Sequence, residues 1–471
     1  MQYSIVEYKK LWDLSQDFRF DADFFHPKYL KEDRQRDNFK NILIRNFCYV
    51  TDGQHGYHEV DESSPIYHLT AKNAKGWFAN TEGADRLAKW VDDKNKRSSL
   101  KEKDLILSTR GTVGLCALVT QEALPANIDQ DVARIIVEAN SEIEPEFLLA
   151  YLNCSFGQDW LVRNSSGMVQ QGLSLDKVRD IPVPILSVKF LRYCKDIILK
   201  AYGALRRSEK LYFQAEQILF SELGLLNWKP QYRLSFVKNF SDTQAGGRMD
   251  AEYFQPKYDE ILEKLTKYKY GSKPIEQIFK QNRTFFKITH NDEYRYVEIS
   301  SVNTATGEID PLILLGSDLP PNAKIKLNIN DVIISKVRTY RGAISIIQED
   351  NLVGSSAFTV LRETGEINRE TLFAYLKSKP ILELSLKYNA GTSYPVIDDS
   401  DMLNLPFPII PKDIQDKIRL KITGMYNTKA LSKRLLEIAK RGVETVIEEN
   451  EKDALAWIDM ELKKLNVSLD Q

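Results

Sequence analysis

The sequence predicts an α+β protein: two tandem-repeated domains of mixed helices and strands, separated by two long helices that pair with each other. Three observations predict this fold. Segments of the first half return in the second half in the same order, short apolar runs suited to buried strands lie between them, and a long amphipathic stretch follows each repeat. The 471 residues suffice for two to four domains, and 43% hydrophobic with 28% charged residues is ordinary for a globular protein.

The repeat is clearest in residues 19–29, RFDADFFHPKY, which return as residues 248–258, RMDAEYFQPKY, with seven of eleven positions identical. The other landmarks follow in one order and with nearly constant spacing. They are 104–108 with 331–335, Arg110-Gly111 with Arg341-Gly342, 150–152 with 374–376, Gly167 with Gly391, and IPVPIL at 181–186 with LPFPII at 405–410. The frame is therefore shared, while some loops between the landmarks differ.

Local patterns assign the elements within each repeat. The β-branched and Leu-rich runs 104–108 and 331–335 predict buried strands, each followed by a sharp turn. Residues 146–154 and 369–378 predict helices. The segments IPVP and LPFP cannot be central strands or helices, because proline removes a backbone donor, so we expect extended leads into the long helices.

Each long helix carries an apolar seam. In the first, between about 188 and 222, the seam residues step by three and four: Leu191, Cys194, Ile198, Ala201, Leu205, Ser208, Tyr212, Ala215 and Leu219. The second, at about 412–449, has a similar stripe that falters near Asn427 to Lys429. Long exposed seams aggregate, so pairing is expected, but its direction is not readable from the pattern. The domain division is 1–186, a first long helix 187–228, a second domain 229–410, a second long helix 411–460, and a tail 461–471.

Composition excludes several classes. The four cysteines lack close spacing, which favours buried free thiols over a zinc site or a disulfide framework. No signal-peptide pattern and no long apolar run occur, which predicts a cytoplasmic protein. The net charge of −1 argues against a simple basic nucleic-acid binder without excluding DNA binding.

Catalytic motifs for nucleotide triphosphates, dinucleotides, base methylation, zinc proteolysis and serine hydrolysis are missing from the sequence. His55 and His58 suggest a metal pair, but no third ligand is close in sequence, so a surface or hydrogen-bonding loop is favoured. No catalytic residue, metal or cofactor is expected in this chain.

What remains is binding chemistry. The turns after the two strands combine hydroxyls and cations at a glycine, which suits phosphate anchoring or bidentate reading of guanine, and glutamine pairs with adenine. Solvated charged loops are the alternative for any single residue. The candidate DNA-binding residues are Lys72, Asn73, Lys75, Arg97, Ser108, Thr109, Arg110, Thr112, Gln170 and Gln171 in the first half, and Ser335, Lys336, Arg338, Tyr340, Arg341, Thr392, Ser393 and Tyr394 in the second.

In their order and duplication, these landmarks resemble the DNA-specificity subunits of type I restriction–modification systems. The stretches STRGTVG at 108–114, ANIDQDV at 126–132 and GMVQQG at 167–172 are close to the family's form. The second half departs from it, with SKVRTYRG at 335–342 and GSSAF at 354–358, which fits a different half-site.

The resemblance implies two target-recognition domains at opposite ends of an antiparallel helix pair, each reading one half of a split target on double-stranded DNA. The helices act as a ruler for the spacer. Two copies of a modification methyltransferase subunit, which brings S-adenosylmethionine, are implied as partners, and a restriction/translocase subunit joins in some assemblies. Three alternatives stay open: a specificity subunit of another phage-defence complex, a structural adaptor that binds only proteins, and an unrecognised nuclease or methyltransferase.

Overall fold

Helices and strands of this protein fall into two compact units. The computed structural model describes residues 6, 19, 21–56, 58–166, 172–389 and 394–469. Unit 1 comprises Met1–Arg206 and Thr428–Gln471, and unit 2 comprises Arg207–Asn427. Both units repeat one order of elements, so the sequence repeat corresponds to a repeated fold.

Unit 1 contains two sheets and a two-stranded ribbon. Its four-stranded antiparallel sheet has the order β2-β8-β5-β6, and its three-stranded sheet has the order β4-β3-β7 with β3 and β7 parallel. The elements are α1 Pro27–Arg36, β1 Asn41–Leu43, β2 Cys48–Asp52, β3 Tyr67–Leu69, β4 Asp85–Arg86, α2 Lys89–Lys94, β5 Leu105–Ser108, β6 Cys116–Leu118, β7 Ala126–Ile128, β8 Val132–Val137, α3 Pro145–Asn153, α4 Ser155–Asn164, α5 Leu175–Arg179, β9 Pro182–Pro184 and the start of α6 Val188–Leu223.

Unit 2 repeats this plan and adds a fourth strand to its second sheet. Its sheets have the orders β11-β18-β15-β16 and β13-β12-β17-β14, and a two-stranded ribbon pairs β10 with β19. The elements are α7 Phe240–Gly246, α8 Pro256–Thr266, β10 Ser272–Pro274, α9 Ile275–Ile278, β11 Phe279–Gln281, β12 Glu293–Val297, β13 Leu312–Leu315, β14 Ala323–Leu327, β15 Val332–Ser335, β16 Ile344–Ile346, β17 Leu352–Ser355, β18 Phe358–Glu363, α10 Arg369–Lys377, α11 Lys379–Lys387, α12 Asp399–Asn404, β19 Pro406–Pro408 and the start of α13 Lys412–Glu448.

The predicted strands β5 and β15 are confirmed as fully buried inner strands of their sheets. The proline segments form β9 and β19, which pair with one partner each, as expected for strands that lack donors. In both units a tyrosine of the preceding helix anchors this ribbon: Tyr151 donates to the Pro182 carbonyl at 2.5 Å, and Tyr375 donates to that of Pro406. The repeated frame thus fixes the same junction twice.

The long helices α6 and α13 have 36 and 37 residues, so each extends about 54 Å at ~1.5 Å per residue. Within unit 1 they run antiparallel. Ser432 Oγ donates to the Ala201 carbonyl at 2.7 Å, and further along α13, Gly442 packs toward Phe190 near the start of α6. Within unit 2, Gly424 lies opposite Leu211. The predicted seam is confirmed: its residues are buried or partly buried.

The second long helix spans Lys412–Glu448, which confirms the predicted stretch of about 412–449, and it is continuous through 427–429, where the apolar stripe falters. The domain division extended this helix to 460, a range that includes the start of a further helix. The side chain of Asn450 accepts a hydrogen bond from the Asp453 amide at 3.0 Å and caps a separate helix, α14 Glu451–Lys464.

The four cysteines are free and buried, as predicted. Among the described residues, no helix combines the length and apolar character needed to span a bilayer.

Candidate nucleic-acid interface

The turn after β5 in unit 1 is closed by its hydroxyls. Ser108 Oγ donates to the Thr112 carbonyl at 2.5 Å and accepts from the Leu115 amide at 2.8 Å. The Thr109 amide donates to the Asp131 carbonyl at 2.8 Å. Because Ser108 and Thr109 are buried, their assignment as DNA contacts is corrected: both hold the shape of the turn.

Arg110 stands at the exposed tip of this turn, with about half of its side chain (49%) accessible and Nη1 3.3 Å from Asp131 Oδ1. Gly111 adopts a left-handed φ of 72°, which allows the tight turn, and Thr112 is exposed. Arg110 pairs with Gly172 in a backbone bridge, and the Leu173 amide donates to the Thr109 carbonyl at 2.8 Å. The turn is therefore tied to the segment that follows the glycine-rich loop.

The loop candidates Gln170 and Gln171 lie outside the described residues, as do Thr392 and Ser393 in the second half. Gly172 is placed: a Cβ there would lie 3.9 Å from Arg110 Cγ. The chain thus leaves this loop directly beside the arginine.

In unit 2 the turn after β15 is built in the same way. Ser335 is fully buried, and its Oγ donates to the Val337 carbonyl at 2.7 Å, so it too is corrected from a DNA contact to a turn-closing residue. Lys336 is half-buried, with Nζ 3.7 Å from Asp399 Oδ1. Its carbonyl accepts from the Ile397 amide at 3.0 Å, so this turn is also tied to the segment after its loop.

Arg338 and Tyr394 form a stacked pair in unit 2. The guanidinium carbon lies 4.8 Å from the centre of the Tyr394 ring, which is 67% exposed. The Arg338 amide donates to the Pro395 carbonyl at 2.8 Å, and its left-handed φ of 50° is unusual for a residue with a side chain. Arg341 is exposed on the following turn, and Tyr340 is half-buried. A cation on an aromatic plane offers both charge and a stacking surface.

The turns after β5 and β15 are equivalent, but the turn after β15 is one residue longer, which the sequence comparison missed. The Ser108 amide donates to the Leu115 carbonyl, and the Ser335 amide donates to that of Ala343. Gly342 therefore matches Gly114, and the sequence match of Arg110-Gly111 with Arg341-Gly342 is wrong. Thr109 corresponds to Lys336, so the backbone equivalent of Arg110 is Val337, and Arg338 brings the cation one residue later.

The other candidates of unit 1 separate into exposed cations and one structural amide. Asn73 is fully buried: its Oδ1 accepts from the Thr70 amide at 2.9 Å and its Nδ2 donates to the Glu82 carbonyl at 3.1 Å, so its assignment as a DNA contact is corrected. Lys72 and Lys75 are exposed, and Lys72 Nζ donates to the Gly83 carbonyl at 2.7 Å. Arg97 is exposed, with Nη2 3.2 Å from Asp52.

Carboxylates accompany these cations, which the sequence analysis did not anticipate. Asp131 pairs with Arg110, Asp52 with Arg97, and Asp399 with Lys336. Such partly exposed pairs contribute only about 0–1 kcal/mol, so a phosphate or base can displace the carboxylate. Burial raises the pKa of nearby Asp129 to about 6.

A second polar cluster in unit 1 brings together residues that are distant in sequence. Ligand-type atoms of His58, His68 and Asp85 lie within 4.8 Å of one another. Burial, with His58 beside it, lowers the pKa of His68 to about 4. His55, which the sequence paired with His58, instead has Nε2 2.7 Å from Asp52 Oδ2. His58 therefore has two candidate ligands beside it in space, although no third ligand is close to it along the sequence.

Residues 268–441 match the family described as the type I restriction modification DNA specificity domain. The specificity subunit of the type I restriction enzyme EcoBI from Escherichia coli is 29% identical over 133 residues, or 28% of this chain. That match spans about a quarter (26%) of the relative's length.

Among solved structures, the type I S subunit from M. genitalium is similar at 12% identity, covering 87% of this chain and 95% of that chain, with a TM-score of 0.40. The HsdS subunit from Thermoanaerobacter tengcongensis is similar at 13% identity, covering 88% and 97%, with a TM-score of 0.28.

Proposed function

We propose, from the premise that this chain belongs to the family of type I restriction–modification specificity subunits, that it is the DNA-reading component of such a complex. Each unit reads one half of a bipartite target on double-stranded DNA. The observation that carries this proposal is the repeated turn: in both units an arginine at a turn after a buried inner strand is tied by backbone bonds to the segment that follows the variable loop.

The chemistry of the two turns supports different half-sites. Arg110 presents an exposed guanidinium with the hydroxyl of Thr112 nearby, which suits guanine or phosphate. Arg338 lies against Tyr394, and the additional cations Lys336 and Arg341 flank it. The same frame therefore carries different donors, as expected of two readers with separate preferences.

Catalysis is assigned to partners. The sequence holds no methyltransferase, nuclease or nucleotide-binding motif, which supports a non-catalytic chain. We assign methylation to two copies of a modification subunit that carry S-adenosylmethionine, with a restriction/translocase subunit in the complete assembly. The near-neutral charge fits this division, because partners then share the neutralisation of the phosphate backbone.

The direct test is a map of methylated adenines in the host genome, with the gene present, deleted and restored. Loss of one split motif on deletion and its return on restoration are the expected results. A map that keeps every motif after deletion would contradict the proposal. A restored Arg110→Ala chain is the informative variant, since it retains the frame and removes one candidate reader.

The long helices are proposed to set the spacer between half-sites. Inserting one heptad in each helix, between Arg206 and Arg207 and between Asn427 and Thr428, preserves the seam because seven residues restore its phase. The insertion adds about 10.5 Å, or roughly three base pairs. The expected result is a motif with unchanged halves and a wider spacer. An unchanged spacer in a complex that still methylates would contradict the ruler.

A protein-only adaptor is the second candidate, because the net charge of −1 is unusual for a DNA reader. It predicts that the complex binds DNA with the same salt dependence whether or not Arg110 and Arg338 are present. Reading of DNA by this chain predicts a smaller salt dependence in either alanine variant if the arginine contacts phosphate, or a relaxed base preference if it contacts a base.

A further inference from the structure

The cluster of His58, His68 and Asp85 in unit 1 lies outside the candidate interface and has no role in the proposed reading of DNA. His68 and Asp85 are direct cross-strand partners in β3 and β4. His58 belongs to the preceding loop, which is fastened to the sheet where Val60 bridges to Leu87. The rings of His58 and His68 have centroids 3.9 Å apart.

His68 is the unusual member. Only 3% of it is exposed, and its Nε2 has no hydrogen-bond partner among the described residues. A buried polar atom without a partner costs about 1–3 kcal/mol, and a bound water or ion is one way in which proteins satisfy such an atom. A ring nitrogen of His68 lies within 4.8 Å of a nitrogen of His58 and a carboxylate oxygen of Asp85, which is the environment in which a cation would satisfy all three groups.

We propose that His58, His68 and Asp85 bind one first-row divalent cation of the zinc type, with water completing the coordination. Two imidazoles and a carboxylate are ligands that zinc accepts in proteins. A tetrahedral zinc site places its ligand atoms about 3.4 Å apart at bond lengths near 2.1 Å, so the cluster must contract by roughly 1 Å. His58 on a loop and the exposed Asp85 supply that movement, while His68 is fixed in its strand.

The neighbouring charges oppose each other. The positive charge of Lys72 repels a cation at His68. Lys72 Nζ, however, donates a hydrogen bond to the Gly83 carbonyl at 2.7 Å. The carboxylate of Asp129 interacts electrostatically with His58 and would attract a cation bound there. The same residue bridges to Gln54 at the start of the His58 loop, so a bound ion would fix this loop onto the three-stranded sheet.

The repeat predicts the stoichiometry. In unit 2, β12 occupies the place of β3, between one antiparallel and one parallel strand. Its residue at the position of His68 is Tyr296, and the cross-strand partner of Tyr296 is Leu312. Neither side chain offers a strong metal ligand, so the chain is expected to bind one ion, in unit 1, whether or not it reads DNA.

The test uses the untagged, metal-free full-length chain, titrated with Zn²⁺ against a chromophoric chelator. We expect one equivalent of Zn²⁺ to bind. His58→Ala and Asp85→Asn should each weaken binding by more than about tenfold, since even outer-shell partners of a metal contribute 10–100-fold. His58 and Asp85 lie outside the buried core, so these two variants should keep the fold. His68→Ala is avoided because it would leave a gap in the core.

His55→Ala and His290→Ala are the matched controls, because they remove histidines of the same loop and of unit 2 without touching the cluster. They should retain full affinity and one equivalent. Absence of binding to the wild-type chain, full affinity in His58→Ala and Asp85→Asn, or loss of binding in His55→Ala would each overturn the proposal.

Discussion

The helix that begins at the repeated proline buries an ion network in unit 1, whereas the corresponding positions in unit 2 carry leucines. In α1, Asp33 lies 2.6 Å from Arg163 and 2.5 Å from Arg36, and all three side chains are buried. The corresponding positions of α8 are Leu262 for Asp33 and Leu265 for Arg36, and Lys387 takes the place of Arg163.

One contact survives this exchange. Arg163 Nε donates to the Phe24 carbonyl at 2.8 Å, and Lys387 Nζ donates to the Tyr253 carbonyl at 2.8 Å. A cation that fastens the repeated aromatic motif is therefore the shared requirement, and the Asp33 carboxylate of unit 1 pairs with this cation and with one further buried cation, Arg36. Both units therefore need a cation that donates to the same backbone carbonyl, while the side chains that surround this cation differ between the units.

The largest predicted effect comes from breaking the polar interior. Asp33→Leu leaves Arg36 and Arg163 buried without their carboxylate, which should lower the unfolding free energy of unit 1 by about 3–5 kcal/mol. The triple change Asp33→Leu, Arg36→Leu and Arg163→Lys copies unit 2 and should recover most of that loss, because apolar replacement of buried ion pairs is often neutral.

Denaturant-dependent hydrogen exchange in α1, with α8 as the internal reference, measures both variants. Equal stability of the single and triple variants would show that the ion network is not what α1 depends on.

The next effect concerns the two reading turns. Arg110→Ala and Arg338→Ala should each weaken binding of the assembled complex to its target by about 1–3 kcal/mol. Arg110→Lys sharpens the comparison: a bidentate base contact predicts a loss close to that of alanine, and a phosphate contact predicts binding near wild type. Titration of fluorescent duplexes at fixed salt measures these losses. Wild-type affinity in both alanine variants would remove the turns from the interface.

A smaller effect separates the units by pH. Burial and a hydrogen bond with Asp159 raise the pKa of Glu32 to about 8, whereas unit 2 has Ile261 at this position. Because the pKa of Glu32 is higher in the folded state, protonated Glu32 stabilises the fold. This contribution is complete below pH 4.5 and is lost as pH rises through about 8. Glu32→Gln should therefore match wild type near pH 5 and exceed it by roughly 1–2 kcal/mol at pH 9, once the shift is discounted for the partial solvent exposure of the carboxyl.

Thermal unfolding across this pH range measures the difference. Glu260→Gln, which removes an exposed carboxylate of α8, is the control and should show no pH-dependent gain. A pH-independent difference for Glu32→Gln would contradict the assigned pKa direction.

The smallest expected effect is a gain. Asp131→Asn removes the carboxylate 3.3 Å from Arg110 and frees the guanidinium for DNA. Because an exposed pair of this kind contributes at most about 1 kcal/mol, affinity should rise by no more than roughly fivefold. The same duplex titration detects it, and a loss of affinity would mean that Asp131 itself positions the arginine.

Much of the fold was predictable because residues that are buried on one face of a helix or strand recur in the sequence with a regular period. The seam of α6 and the buried runs of β5 and β15 were located correctly. The stretch 412–449 also matches α13, whereas the domain boundary at 460 ran past its end, because Asn450 caps a new helix with an apolar face of its own. The falter near Asn427 did not break the helix, since propagation of an existing helix costs little.

The candidate site was predictable only in position. Ser108, Ser335 and Asn73 suited DNA contacts by residue type, but hydroxyls and amides next to a turn also satisfy the turn's own backbone, and sequence does not show which way they face. The one-residue insertion before Gly342 shifted the apparent match of the arginines. His58, His68 and Asp85 meet only through strand pairing, which no local spacing shows.

The central claim is that each unit reads its own half of the target. Selection of bound duplexes from a random library, with the complex assembled on wild-type, Arg110→Ala or Arg338→Ala chains, tests it most directly. The account predicts that each variant relaxes base preference in one half, a different half for each, and leaves the spacer and the other half intact. Relaxation of both halves by either variant, or of the same half by both, would contradict it.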